Sequence, residues 1–315
     1  MTRSEFYYNS SDGKTKIHAI KLIPEDEIIA VLQISHGMLE HMERYEEFAN
    51  YMSKNGVLTV GNDHIGHGSS VLSEEYRGYF GEEDGNMVLI EDMHSLMSII
   101  KSAYPDKPYF ILGHSMGSFL ARQFINLYGN EIEGVVISGT GQQPIGVIKF
   151  GILITKFIAL FKGWNYRSKF VNFLSLGSNN NKFKPAKTKF DWLTRDTYIV
   201  DNYISDFRIN FIFTLNGFYN MFNGMLRMNE PKMLDNIPKD LPIIFVSGDK
   251  DPVGQFGKDV TKAFNIYKSL NLSNVTMKLY EDDRHEILNE LDREQIYEEL
   301  LIWFTENIDI VRFTS

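Results

Sequence analysis

The chain has 315 residues, 43% of them hydrophobic, no cysteine and a formal net charge of −9. That length allows one large α/β domain or two ordinary ones, and the lack of cysteine excludes disulfides and thiolate metal sites. Met1-Thr2-Arg3-Ser4-Glu5 lacks the apolar region of a secretory signal, and no run approaches the ~18 apolar residues of a membrane span, so a cytoplasmic protein is expected.

Residues 16–22 and 28–34 are apolar, β-branched stretches around the turn Pro24-Glu25-Asp26, and they read as a hairpin. Residues 43–55 have helical spacing through Tyr45, Phe48, Ala49 and Met52 and stop at Gly56. A short strand follows at 57–60. Residues 87–103 form an amphipathic helix through Leu89, Ile90, Met93, Leu96, Met97 and Ile100, stopped by Pro105. A strand at 109–112 runs almost directly into a helix at 118–128, and 134–138 is another strand. Strand 242–246, helix 256–270, strand 275–280 and helix 293–304 complete the series. Strands alternating with helices predict an α/β protein, its mostly parallel sheet covered by helices on both faces.

The alternation breaks over residues 141–235, which show no strand-turn-helix rhythm. They are expected to form a mainly helical insertion over the carboxyl edge of the sheet, leaving 1–140 and 236–315 as the core. Residues 134–190 hold no Asp or Glu, yet carry Lys149, Lys156, Lys162, Arg167, Lys169, Lys182, Lys184, Lys187 and Lys189. A basic segment of this kind suits an anionic partner. Within it, residues 145–161 are apolar except for Lys149, Thr155 and Lys156. They read as a buried helix of the insertion. The alternative is an interfacial helix in peripheral contact with an anionic membrane.

Gly113-His114-Ser115-Met116-Gly117 is a G-x-S-x-G pentapeptide between a strand and a helix, where tight packing by both glycines pushes the serine hydroxyl above the sheet. The pentapeptide alone arises by chance in roughly one chain of this length in ten, so its partners decide. A serine hydroxyl needs a base and the base an orienting acid, both following the serine in this fold's usual order. His285 is the one histidine after Ser115 and sits just past strand 275–280, where such sheets place ligand-contacting groups. At the end of the preceding strand, Asp249 and Asp251 are both candidate acids. Asp282 and Asp283 read as a solvated turn. Oxyanion donors are expected from the Met116 N–H and, in the loop Ser35-His36-Gly37-Met38, from the Met38 N–H. His64 and His67, with His36 and His41, have no established metal-ligand spacing and read as buried or loop-ordering residues. His114 reads as packed behind the serine. Glu40 and Arg44, four apart, read as a helix-surface ion pair.

Taken together, His36-Gly37-Met38-Leu39-Glu40-His41 with Arg44-Tyr45, Asp63-His64-Ile65-Gly66-His67-Gly68, the serine pentapeptide, Gly248-Asp249-Lys250-Asp251 and His285 resemble the α/β-hydrolase fold serine hydrolases. The resemblance is to those of the monoacylglycerol lipase and lysophospholipase type, also labelled serine aminopeptidase S33. It spans nearly the whole chain in the correct order. It implies that the acid is Asp251, three residues after Gly248, that the first oxyanion donor is Met38, and that the insertion is a cap over an acyl pocket. Ser118 departs from the pattern, since many relatives carry a third glycine there. The expected activity is a serine carboxylester hydrolase on monoacylglycerol- or lysophospholipid-like esters, with no metal or organic cofactor. A short-chain or aromatic-acyl esterase is the alternative. A proline iminopeptidase is disfavoured, because the basic insertion offers no acidic anchor for a substrate amine. Neither a nucleic-acid partner nor an oligomeric state is indicated.

Overall fold

Predominantly apolar runs become the middle of the sheet. The computed structural model describes residues 1–314. In chain order it begins β1 (Thr2–Asn9), β2 (Lys16–Ile23), β3 (Ala30–Ser35), α1 (Glu46–Lys54), β4 (Val57–Asn62), α2 (Gly85–Ala103), β5 (Tyr109–His114), α3 (Met116–Tyr128) and β6 (Gly134–Ser138). Helices α4 (Ile145–Lys162), α5 (Lys169–Leu176), α6 (Thr197–Ser205), α7 (Leu215–Arg227) and α8 (Pro231–Leu234) follow without a strand. The chain then returns to β7 (Ile243–Gly248), α9 (Lys258–Ser269), β8 (Val275–Tyr280) and α10 (Arg293–Thr314).

The eight strands form one sheet in the order β1-β2-β4-β3-β5-β6-β7-β8. The β1–β2 and β2–β4 pairs are antiparallel and all others parallel. Strands β3, β4, β5 and β6 are buried along their whole length, as parallel strands covered on both faces must be. One core packs α2, α3 and α9 on the sheet through Leu89, Met93, Leu96, Phe124, Ala263 and Tyr267. The other packs α1 and α10 through Phe48, Met52, Leu300 and Phe304. Register aligns the carboxyl ends: Ser35 opposite Gly113, His114 opposite Ser138, and Gly248 opposite Tyr280. The serine turn, the Gly37 loop and the loops after β7 and β8 therefore leave the sheet on the same edge.

Two sequence expectations are corrected. Residues 16–22 do form a strand, but its hairpin partner is β1, paired Asn9 to Lys16 and Thr2 to Ile23. β3 lies instead between β4 and β5, a parallel position no tight turn from β2 can reach. The helix of residues 145–161 exists as α4 but is not buried: only Ile148, Thr155 and Ala159 are inside. Its outward positions leave Leu153 63%, Phe157 59%, Leu160 81% and Phe161 74% exposed.

Candidate active site

Ser115 joins β5 to α3 at φ 53°, ψ −117°, a conformation that costs a non-glycine residue of order 1–3 kcal/mol and persists only where the surroundings enforce it. The surroundings are the two glycines of the pentapeptide. A Cβ at Gly117 would collide with the carbonyls of Ser35 and His36, and one at Gly113 with the Gly117 carbonyl. Ser118, where the family pattern has glycine, is buried and donates its hydroxyl to the Ser115 carbonyl at 2.6 Å. That bond supports the turn from inside the first helical turn.

His285 and Asp251 come from the loops after β8 and β7. Both are buried, and His285 Nδ1 lies 3.0 Å from Asp251 Oδ2, off the line of a well-aligned hydrogen bond. Asp251 Oδ1 accepts the Val253 N–H at 2.8 Å and Oδ2 the Ser247 hydroxyl at 3.1 Å. Burial pushes the Asp251 carboxyl up, but His285 and the Val253 N–H outweigh it and hold the group below its ordinary value. Asp249 is directed away, accepting the Asp282 N–H and pairing with Lys250. Of the two aspartates, Asp251 faces the imidazole.

The Gly37 loop presses on the serine, since a Cβ at Gly37 would stand 3.0 Å from Ser115 Cβ. His36 orders this loop as a single neutral tautomer: Nε2 accepts the His64 N–H at 2.9 Å, so Nδ1 donates to the Gly37 carbonyl at 2.8 Å. Glu40 accepts the Gly37 N–H at 2.7 Å. Among the described residues, the Met38 and Met116 N–H groups have no hydrogen-bond partner; Met116 is the first residue of α3, where helix N–H groups are free to meet an anion. His64 and His67 pack with His36, at centroid distances of 4.2 and 5.2 Å, and burial with the His36 neighbour pushes His67 down to about 3. They stay uncharged and fill space beside the loop.

Behind this loop the structure corrects a surface reading. Glu40 is buried and the Arg44 side chain is only 11% exposed, and Arg44 also grips Glu286, next to the candidate base, with two 2.7 Å bonds. Burial pushes Glu40 up, yet His114, Arg44 and Tyr45 together hold it well below its usual range. His114 sits where it was expected, behind the serine, 3.0 Å from the Tyr45 hydroxyl and 4.7 Å from the His285 ring centroid. Asp283 is a second correction. It is fully buried, whereas Asp282 beside it is exposed. The Arg44–Glu286 link was not visible in sequence, since the two stand 242 positions apart.

Ser115, His285, Met38, Met116, Glu40 and Glu286 line one cavity of about 340 Å³, within the range of small-molecule sites. Most of the rest of its wall comes from the insertion and is largely apolar, with Ile148, Phe150, Leu174, Trp192, Leu193, Phe222 and Met225, and Leu39, Phe119 and Val253 of the core also contribute. The insertion therefore roofs the cavity, with Phe119 of α3 packed against Ile148, Met225 and Met228.

Residues 26–292 match the family model described as serine aminopeptidase, S33. The chain is 23% identical to a monoacylglycerol lipase of Mycolicibacterium smegmatis, over 98% of its own length and 99% of that protein's. A monoglyceride lipase homolog of monkeypox virus is 40% identical over 92 residues, 29% of this chain and 31% of that one. A match to an abhydrolase domain-containing protein of Dictyostelium discoideum likewise spans only 27% of its length. The crystal structure of a highly thermostable carboxyl esterase from Bacillus coagulans superposes with a TM-score of 0.90 at 28% identity, covering 98% and 99% of the two chains. With 267 consecutive residues inside the family model and the same fold over nearly its full length, the chain belongs to the serine aminopeptidase S33 family of α/β-hydrolases.

Proposed function

We propose that the protein is a serine carboxylic ester hydrolase acting on lipid-like monoesters such as monoacylglycerols or lysophospholipids. One observation carries this reading: the strained Ser115 shares an apolar cavity with His285, itself backed by Asp251. His285 Nε2 takes the Ser115 proton as Oγ adds to the ester carbonyl. The Met38 and Met116 N–H groups bind the oxyanion, and Asp251 stabilises the imidazolium. Collapse of the adduct expels the alcohol with the proton from His285. Water, deprotonated by His285, then adds to the acyl-enzyme, and the carboxylic acid leaves Ser115. The family label names a peptidase, but both carboxylates on the cavity wall, Glu40 and Glu286, are tied to Arg44, so no free acid remains to anchor a substrate amine.

An acyl chain lying against Phe150, Leu174, Phe222 and Met225 gains about 0.8 kcal/mol per buried methylene, about fourfold in kcat/KM. A series of p-nitrophenyl esters should rise steeply from acetate to medium chains and level off once the cavity is full. A maximum at acetate would instead assign a small-ester esterase.

The same reading extends to where the substrate is met. The outward stripe Leu153, Phe157, Leu160 and Phe161 continues onto Phe170 and Phe173 of α5, flanked by exposed Lys149, Lys156, Lys162 and Lys169. No described helix is long and apolar enough to cross a membrane, whereas an apolar face edged by lysines suits the surface of an anionic bilayer. The Leu153→Glu/Phe157→Glu double variant should lose at least about 100-fold in partition onto phosphatidylglycerol vesicles, two apolar side chains at about 1.5 kcal/mol or more each. Its kcat/KM on a soluble ester should stay within about twofold. Wild-type binding that is absent, or indifferent to salt, would count against the membrane role.

A further inference from the structure

The stretch Asp191–Asp196 of the insertion has no regular structure, yet nearly every residue in it bonds the loop that carries His285. The His285 and Glu286 N–H groups donate to the Trp192 and Leu193 carbonyls at 3.4 and 2.7 Å. The Arg284 guanidinium donates to the carbonyls of Asp191 and Thr194. Thr194 Oγ1 donates to the Asn289 carbonyl at 2.8 Å, and Arg293 pairs with Asp196 at 3.1 Å. The Trp192 ring lies 5.0 Å from the His285 ring.

Arg195 is the centre of this seam. Its guanidinium bonds Asp283, Glu290 at 2.9 Å and Asp292 at 2.8 Å, and its own N–H reaches Glu290 as well. Asp283 and Glu290 are fully buried, while Arg195 is about a quarter exposed. Both acids belong to the segment around the imidazole, Glu290 holding it through its carboxylate and Asp283 through its main chain. Glu290 Oε1 accepts the Arg284 N–H at 2.9 Å, and the Asp283 carbonyl accepts the Lys250 N–H at 2.9 Å, joining the His285 loop to the Asp251 loop. A Cβ at Gly248 would strike the Asp283 and Arg284 carbonyls, so the two loops are already in contact. Without the guanidinium, three carboxyl groups would converge there, their oxygens all within 4.8 Å of one another, and they could not all be ionised without repulsion.

Resting on the catalytic reading above, we propose that Arg195, a residue of the insertion, is a positioning residue for His285: by clamping Asp283 and Glu290 it sets the imidazole against Ser115 and Asp251. The insertion is then part of the catalytic apparatus as well as a roof. Burial beside Glu290 and Asp292 pushes Asp283 up to about 8, and Arg195 opposes that protonation.

The test compares wild type, Arg195→Gln and Arg195→Lys on a soluble p-nitrophenyl ester, with melting temperatures and rates of fluorophosphonate labelling. A misplacement of about 1 Å at a reacting group costs on the order of 100-fold. Arg195→Gln should therefore lose about 10- to 100-fold in kcat and in labelling rate, with KM within about threefold. Arg195→Lys, which keeps a cation but not the fork, should recover part of that loss. Unchanged kcat, a defect wholly in KM, or a loss that vanishes when the assay is run well below the melting temperature would overturn the positioning role. A wild type that fluorophosphonate does not label would instead overturn the serine mechanism, and the role of Arg195 with it.

Discussion

Ser115→Ala is expected to lower kcat on any ester substrate by about a millionfold, the cost of deleting the nucleophile of a Ser-His-Asp unit, and to abolish labelling by a fluorophosphonate probe. The substitution is clean on structural grounds. The Ser115 hydroxyl holds no hydrogen bond in the fold, while the backbone contacts of this residue, to the Ser138 carbonyl and from the Ser118 hydroxyl, survive in alanine. The positive φ is kept as well, so the melting temperature should move by no more than a degree or two. What remains is the oxyanion site and the apolar cavity, which together give on the order of 10³-fold over water in serine hydrolases that have lost their nucleophile. Two other serines at this edge of the sheet are poor substitutes. Ser35 Oγ is 3.0 Å from His64 Nε2 but fully buried, as is Ser138. Labelling that persists in Ser115→Ala would place the nucleophile elsewhere and remove the basis for the whole mechanism.

That the serine turn could be read from sequence follows from its being local. A strand, a G-x-S-x-G turn and a helix lie within 20 residues, and each imposes its own pattern on the chain. The parallel strands were legible for the same reason: β6 and β8 fall at the residues their short, β-branched and apolar-rich runs indicated. Edge strand β1 has no such run. Arg3, Glu5 and Tyr7 face out along an exposed strand, and only Phe6 and Tyr8 mark its inner side. Helix α4 misled in the opposite way. A helix apolar on every face has no preferred side in its periodicity, so sequence suggests burial, whereas the fold buries one narrow strip. Charge clusters were the least legible. Arg195 meets Asp283 and Glu290 across 88 and 95 positions, and nothing near any of the three in sequence signals the pairing. In the basic residues 134–190 all eight lysines are exposed, and four of them flank the apolar stripe.

Asp251→Asn carries the second large effect, and the hydrogen bonds around the carboxylate determine its size. Oδ1 accepts the Val253 N–H and has no donor role available to it. An asparagine must therefore keep its amide oxygen on that side, because an NH₂ there would face another donor inside a fully buried site. The amide NH₂ is then forced to the Oδ2 position, 3.0 Å from His285 Nδ1 and 3.1 Å from Ser247 Oγ. The serine hydroxyl can rotate to accept, but the imidazole must change tautomer, presenting a lone pair at Nδ1 and a proton at Nε2. A protonated Nε2 facing Ser115 cannot act as its base, and in serine hydrolases this error alone costs about 10⁴-fold in kcat. Among the described residues no other carboxylate is placed to compensate: Asp249 is held by Lys250 and the Asp282 N–H, and Asp283 by Arg195. The expected outcome is thus a loss of about 10⁴-fold in kcat for Asp251→Asn with KM nearly unchanged, against a loss within about threefold for Asp249→Asn. Equal losses, or a larger one at Asp249, would transfer the orienting role to Asp249 and require the loop after β7 to sit differently when substrate is bound.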